Sequence, residues 1–185
     1  MKLKIGVMGS ASDTLPADEA AALRAKSEAL GQAIAARDCV VLTGATTGTP
    51  YLVGRTARAA GALHVGVSPA ANEREHVERY RLPTDACHLI IYTGFGLKGR
   101  NVVLVRSSDV ALFVGGSIGS LNEFTIAHDE GRVVGCLTGT GGVADEARRL
   151  LAVLPRKSGA QVLYHHDPEQ LLDSCLTALG HAETR

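Results

Sequence analysis

Short runs of Val, Ile and Leu recur along this chain at residues 3–8, 39–43, 63–68, 88–93, 109–114, 133–138 and 161–164, each too brief to be a helix of ordinary length. The runs do not alternate polar with apolar residues, which is the pattern of parallel strands covered on both faces. Between them lie helical stretches. The first, residues 16–37, opens with Pro16 after Asp13 and Thr14 and sets Leu23, Leu30 and Ile34 on one stripe. The others fall at 50–60, 97–106, 120–131, 143–154 and 168–179. Strand, helix, strand with short connections means right-handed crossovers, so the expected fold is α/β: a Rossmann-like, open, doubly wound and mainly parallel sheet of about seven strands with helices on both faces. A chain of 185 residues is one domain's worth, read here as residues 1–180 with a frayed tail at 181–185. Residues 70–83 break the pattern. Asn72, Glu73, Arg74, Glu75, His76, Glu78, Arg79 and Arg81 replace the apolar stripe there, which reads as a solvated or mobile flap able to close over a ligand.

Charge and composition exclude several function classes. Lys+Arg and Asp+Glu are 19 each, so the chain lacks the basic excess of nucleic-acid binders, and with no Trp and 4% aromatics it has little to stack bases on. No partner of that kind is expected. The apolar stretch at the N-terminus is too short for a signal peptide and no run reaches 18 residues, so neither export nor a membrane is expected and the location reads as cytoplasmic. Cysteines 39, 87, 136 and 175 form no Cys-x-x-Cys pair; Cys39 and Cys136, in apolar runs, read as small buried hydrophobes, which suggests a reducing compartment. His165 and His166, adjacent after the last strand, cannot both face one metal from a regular strand, so no metal is expected.

The glycines follow the strands. Gly9-Ser10-Ala11-Ser12-Asp13 follows the first, Gly44-Ala45-Thr46-Thr47-Gly48 the second, Gly94-Phe95-Gly96 the fourth, Gly115-Gly116-Ser117-Ile118-Gly119-Ser120 the fifth and Gly139-Thr140-Gly141-Gly142 the sixth. In an open parallel sheet ligands lie beyond the carboxyl ends of the strands. Each of these loops leads to a helix start, where unpaired N–H groups and the positive dipole end attract an anion. Several on one sheet edge point to a phosphorylated ligand.

Three motifs sharpen this. Residues 94–99, Gly-Phe-Gly-Leu-Lys-Gly, match the dinucleotide fingerprint, but the next strand ends Val114-Gly115 without the acidic residue that holds a ribose. None of the five lysines, at 2, 4, 26, 98 and 157, completes a Gly-Lys-Ser/Thr phosphate loop, which excludes that type of ATPase. The third motif is Gly116 to Glu123. Gly116, Ser117, Ile118, Gly119 and Ser120 would carry a phosphate, and Glu123 either closes a capping box with Ser120 or stands beside the ligand. Upstream, Lys98-Gly99-Arg100-Asn101 opens a helix whose Arg100 would clamp the same phosphate. Gly9, Ser10, Ser12, Gly44, Thr46, Thr47 and Gly48 would meet the remaining polar groups.

This combination resembles the Lonely Guy (LOG) family, long labelled lysine decarboxylases, whose pattern is an Arg-Lys pair, an Asp-led strand and Pro-Gly-Gly-x-Gly-Thr-x-x-Glu. Arg100 takes the arginine position, Asp109 opens the strand and residues 115–123 fill the glycine motif. Gly115 stands for the proline, Ser117 for the second glycine, Ser120 for the threonine and Asn101 for the lysine. The segment 92–97 and the looser glycine motif look more like the branch that includes molybdenum-cofactor carrier proteins. The resemblance implies a homodimer or higher homo-oligomer, with Leu121, Phe124, Thr125 and His128 as a candidate contact stripe. It leaves two functions open. One is a carrier or sensor for a phosphorylated heterocycle, a nucleotide or molybdopterin-type cofactor bound as ligand with no further cofactor required. The other is a phosphoribohydrolase cleaving the N-glycosidic bond of a nucleoside 5′-monophosphate, with Arg100 and Glu123 as its catalytic pair.

Overall fold

The computed structural model describes residues 1–11 and 17–183. Pro16, Ser12, Asp13 and Thr14, assigned above to the first helix start and first loop, lie outside the described residues. The elements run β1 (Lys4–Gly9), α1 (Ala17–Ala36), β2 (Val40–Thr43), α2 (Gly48–Ala59), β3 (His64–Ser68), a π-helical turn (Glu75–Arg79), β4 (Leu89–Tyr92), α3 (Gly96–Ser107), β5 (Val110–Val114), α4 (Ile118–Asp129), β6 (Val133–Leu137), α5 (Gly142–Val153), β7 (Gln161–His165) and α6 (Pro168–Glu183). The last helix therefore continues into the segment read as a frayed tail.

All seven strands are parallel, in the order β4-β3-β2-β1-β5-β6-β7. The chain winds outward from β1 to one edge, then returns to pair Ile5 with Val110 and winds to the other, so the order reverses between β1 and β5. Side chains alternate across the sheet and feed two cores. Ile5, Val7, Val41 and Leu112 meet Leu23, Leu30 and Ile34 of α1, Val53 of α2 and Leu171 of α6. Met8, Ala111 and Phe113 meet Leu104 of α3, Phe124 of α4 and Ala147 of α5. The fold is the Rossmann-like α/β sandwich that the apolar runs predict.

The edges depart from the expectation of strands buried on both faces. The central strands β5 and β6 are buried at every position. In β4, Leu89 and Ile91 are 56% and 47% exposed, because α3 lies over β1 to β3 and leaves this strand's outer half uncovered. Residues 70–83 are also not simply a solvated flap. His76 within them is fully buried: its Nδ1 accepts from Ser68 Oγ at 2.8 Å and its Nε2 donates to the Pro83 carbonyl at 3.1 Å. One imidazole thus ties both ends of the segment to β3. Phe124 likewise turns inward, edge-on to Phe113 with ring centroids 5.5 Å apart and stacked on His128, and with Leu121, Thr125 and His128 it lines a groove between α4 and α5. Cys39, Cys136 and Cys175 are buried free thiols, and burial pushes the last two up to about 12. His165 and His166 stack on each other, and no group of three potential metal ligands occurs among the described residues.

Candidate functional site

The site grows from the strand reversal, where the loops after β1 and β5 diverge and leave a crevice. The loop after β5 turns through Gly115 and Gly116, both in the left-handed region at φ 65° and 111°. At Gly116 a side chain is also excluded sterically, since a Cβ would sit 2.7 Å from that of Ser120. This loop is stitched to its neighbours. The Gly115 amide donates to Thr140 Oγ1 at 2.8 Å and the Gly116 amide to Ser10 Oγ at 3.1 Å, while the Gly116 carbonyl accepts from Val143. The Gly116 amide is thus met by Ser10, whose hydroxyl keeps its own proton to donate, and neither residue is among those lining the crevice.

Helix α4 begins at Ile118, two residues earlier than the sequence pattern predicts, with Ser117 as N-cap. Its first bond runs from Leu121 N to Ser117 O, so the amides of Ile118, Gly119 and Ser120 stand ahead of the helical ladder. The early start also overturns the capping box. Ser120 lies inside the first turn and donates to the Gly9 carbonyl at 3.0 Å, and Glu123, one turn on, faces α3 instead. The Ile118 side chain is 76% exposed and does not line the cleft, so only its backbone can serve there.

Across the crevice, α3 presents Arg100 in its second turn, 6% exposed. Its guanidinium lies flat against Gly44, where a Cβ would come within 2.5 Å of Nη1 and 2.6 Å of Cζ. Arg100 Nη1 donates to Glu123 Oε1 at 2.8 Å, and both side chains are buried. That is the guanidinium's one hydrogen bond among the described residues. Its Nε is buried without a partner, a costly state for a group with five donors. Burial pushes the Glu123 carboxyl up and the Arg100 guanidinium down, each opposed by the charge of the other, and Lys98 also holds Glu123 down. Beside this pair, Asn101 donates to Asn122 Oδ1 at 2.8 Å, which ties α3 to α4.

The resulting cleft is about 150 Å³. Gly9, Gly44, Thr46, Lys98, Arg100, Asn101, Ser117, Gly119, Ser120 and Glu123 line it, brought together from four segments. Thr47 and Gly48 stand behind the wall: Thr47 Oγ1 donates to the Ala11 carbonyl at 2.6 Å and the Thr49 amide to the Ser10 carbonyl at 2.9 Å, fixing the first loop to α2. Ser12 lies outside the described residues. Val7, Met8, Ala11, Pro50 and Leu97 also line the cleft and were not among the sequence candidates. Pro50 and Leu97 sit in the first turns of α2 and α3, a position that loop-by-loop reading of glycines and hydroxyls passes over.

A model of the SLOG cluster4 family matches residues 2–172. The chain belongs to that family. Among solved structures, that of TM1055, a structural-genomics target, superposes with a TM-score of 0.82 at 26% identity, covering 96% of this chain and 99% of that one. The molybdenum cofactor binding protein of Rippkaea orientalis superposes at 0.73 with 28% identity, covering 97% and 98%. The molybdenum cofactor carrier protein of Chlamydomonas reinhardtii does so at 0.75 with 25% identity, covering 97% and 99%. An uncharacterised protein of Archaeoglobus fulgidus is 32% identical over 108 residues, 58% of this chain and 66% of that protein's length. This SLOG cluster4 protein thus shares its whole fold with molybdenum-cofactor carriers.

Proposed function

We propose that the cleft binds the phosphate of a phosphorylated heterocycle and that the protein works as its carrier or sensor. One observation carries this reading: among the described residues Arg100, buried at the cleft wall, has Nε unpartnered and a single hydrogen bond, to Glu123. A phosphate oxygen supplies the missing acceptor, and a guanidinium matches phosphate geometry better than any other side chain. The free amides at the start of α4 add donors aimed at the same space. Bulk charge is not needed, since these groups act at close range. The likeness to a molybdenum cofactor binding protein and a carrier protein supports a cofactor or nucleotide as ligand. A cleft of this size encloses a phosphate, with the heterocycle lying outside it.

The hydrolase reading has one observation in its favour, the buried carboxyl of Glu123 inside the cleft next to Arg100. N-glycosidic cleavage builds positive charge on the ribose, which an ionised Glu123 would stabilise. Arg100 would anchor phosphate, since a guanidinium does not release its proton. Calorimetric titration with AMP and with a molybdopterin-type cofactor, followed by chromatography of the mixture for free base, separates the two. Retention without base release supports a carrier. Base release that disappears in Glu123→Gln supports a hydrolase, and no binding of any phosphorylated compound overturns both.

The protein is also proposed to form homo-oligomers through the apolar groove of about 430 Å³ between α4 and α5, lined by Leu121, Leu150, Leu151 and Leu154. Among the described residues no helix is long and apolar enough to cross a membrane. Residence in the cytoplasm remains part of the same proposal.

A further inference from the structure

Arg100 and Glu123 meet at the cleft wall through one hydrogen bond, and both line the cleft. An anion that reaches Arg100 therefore also reaches a carboxyl group on the adjacent helix. Against a wall where Arg100 and Glu123 are both buried, such a pair of like charges is poorly screened. The charged groups facing Glu123 among the described residues are Arg100 and Lys98, both on α3. On α4 itself, His128 and Asp129 lie on the opposite side, against α5. The loops after β1 and β2 bring Gly9, Ala11, Gly44 and Thr46, which carry no charge. One buried guanidinium cannot neutralise a carboxylate and a bound phosphate at once, and Lys98, exposed at the rim, is screened by solvent. Burial already disfavours the carboxylate in the free protein.

We infer that the cleft takes up its anionic ligand together with one proton, which Glu123 holds while Arg100 faces the ligand. This rests on the anion-binding reading above. The step forms one O–H bond on Glu123 with a proton drawn from solvent or buffer, and no other covalent bond changes. The acid then donates a hydrogen bond where the carboxylate would repel. The same proton removes the ionised carboxylate that N-glycosidic cleavage needs, so the loaded state holds its ligand rather than cutting it.

Sulfate and AMP are the probes, because sulfate carries no titratable proton near neutral pH. Calorimetry with sulfate in buffers of different ionisation enthalpy is expected to show uptake approaching one proton per site. Affinity falls by up to about tenfold per pH unit as pH rises. Glu123→Gln, which keeps an oxygen for Arg100, is expected to bind sulfate with no buffer dependence and a flat pH profile; circular dichroism checks its fold. Should that variant not fold, the buffer dependence of the wild-type protein decides alone. Sulfate binding without proton uptake overturns the inference and leaves the anion site standing. Uptake with AMP but not sulfate overturns it as well, because the proton then sits on the phosphate, and so does uptake that persists in Glu123→Gln. Failure of both probes to bind overturns the anion-binding reading and this inference together.

Discussion

Two buried polar side chains lie near the end of β2, Arg100 against Gly44 and His64 bonded to Thr43, and they are served very differently. His64, on β3, has both ring nitrogens occupied: Nδ1 donates to the Ala86 carbonyl at 2.8 Å and Nε2 accepts from Thr43 Oγ1 at 2.9 Å. Arg100, on α3, has five donors and makes one hydrogen bond among the described residues. Unmet hydrogen-bonding capacity in a buried group costs stability, so a fold keeps it only where something else supplies the partner. Arg100 lines a cleft, and His64 lines none of the pockets described. The completed site reads as scaffold, the incomplete one as function.

The sharpest way to break this contrast is to remove each side chain. Arg100→Ala is expected to weaken binding of a phosphorylated ligand at least a hundredfold by calorimetry, about 3 kcal/mol for charge-assisted bonds. Unchanged affinity would make Arg100 scaffold too. His64 is probed by acid. Burial holds its imidazole down at about 4, whereas in the unfolded chain it titrates near 6.5, so the unfolded state takes the proton first. Stability is therefore full above about pH 6.5 and falls as pH drops towards 4, by roughly 3 kcal/mol, measurable by urea denaturation at successive pH values. His64→Gln removes that part of the slope.

Smaller effects refine the comparison. Gly44→Ala is expected to push the guanidinium off the β2 loop and to weaken ligand binding about tenfold while costing about 1–2 kcal/mol of stability. Ser68→Ala leaves His76 Nδ1 and the Ala70 amide without their shared partner and is expected to cost about 1–2 kcal/mol, with ligand affinity unchanged. Least of all, Leu154→Lys in the α4–α5 groove is expected to shift stability by within about 0.5 kcal/mol. The same change should lower the mass seen by light scattering if that groove joins subunits.

The strands and the glycine loops were legible because each rests on local chemistry: a run of β-branched and aliphatic residues, then a turn rich in Gly and hydroxyls. Loops 9–11, 44–46 and 117–120 do converge, as the rule of carboxyl ends predicts. What could not be read was which partner each polar residue takes. Ser120 and Glu123 have capping-box spacing, and only the helix starting at Ile118 shows that Glu123 pairs with Arg100. Ser10 and Gly116, 106 positions apart, are joined by a hydrogen bond from the Gly116 amide to the Ser10 hydroxyl. His76 lay hidden in a charged segment because composition averages over neighbours, whereas one imidazole with two partners is enough to anchor fourteen residues. The exposed Leu89 and Ile91 look in sequence like any buried strand, since coverage depends on where α3 stops.

The pairing of Ile5 with Val110 also governs how this protein is made. The first strand leaves the ribosome long before its second neighbour exists, so the nascent chain must carry an unpaired strand edge through most of synthesis. Truncations ending before Val110 are left with that edge permanently, which makes them candidates for chaperone capture or precipitation, and they lack the wall of the cleft that residues 117–123 supply.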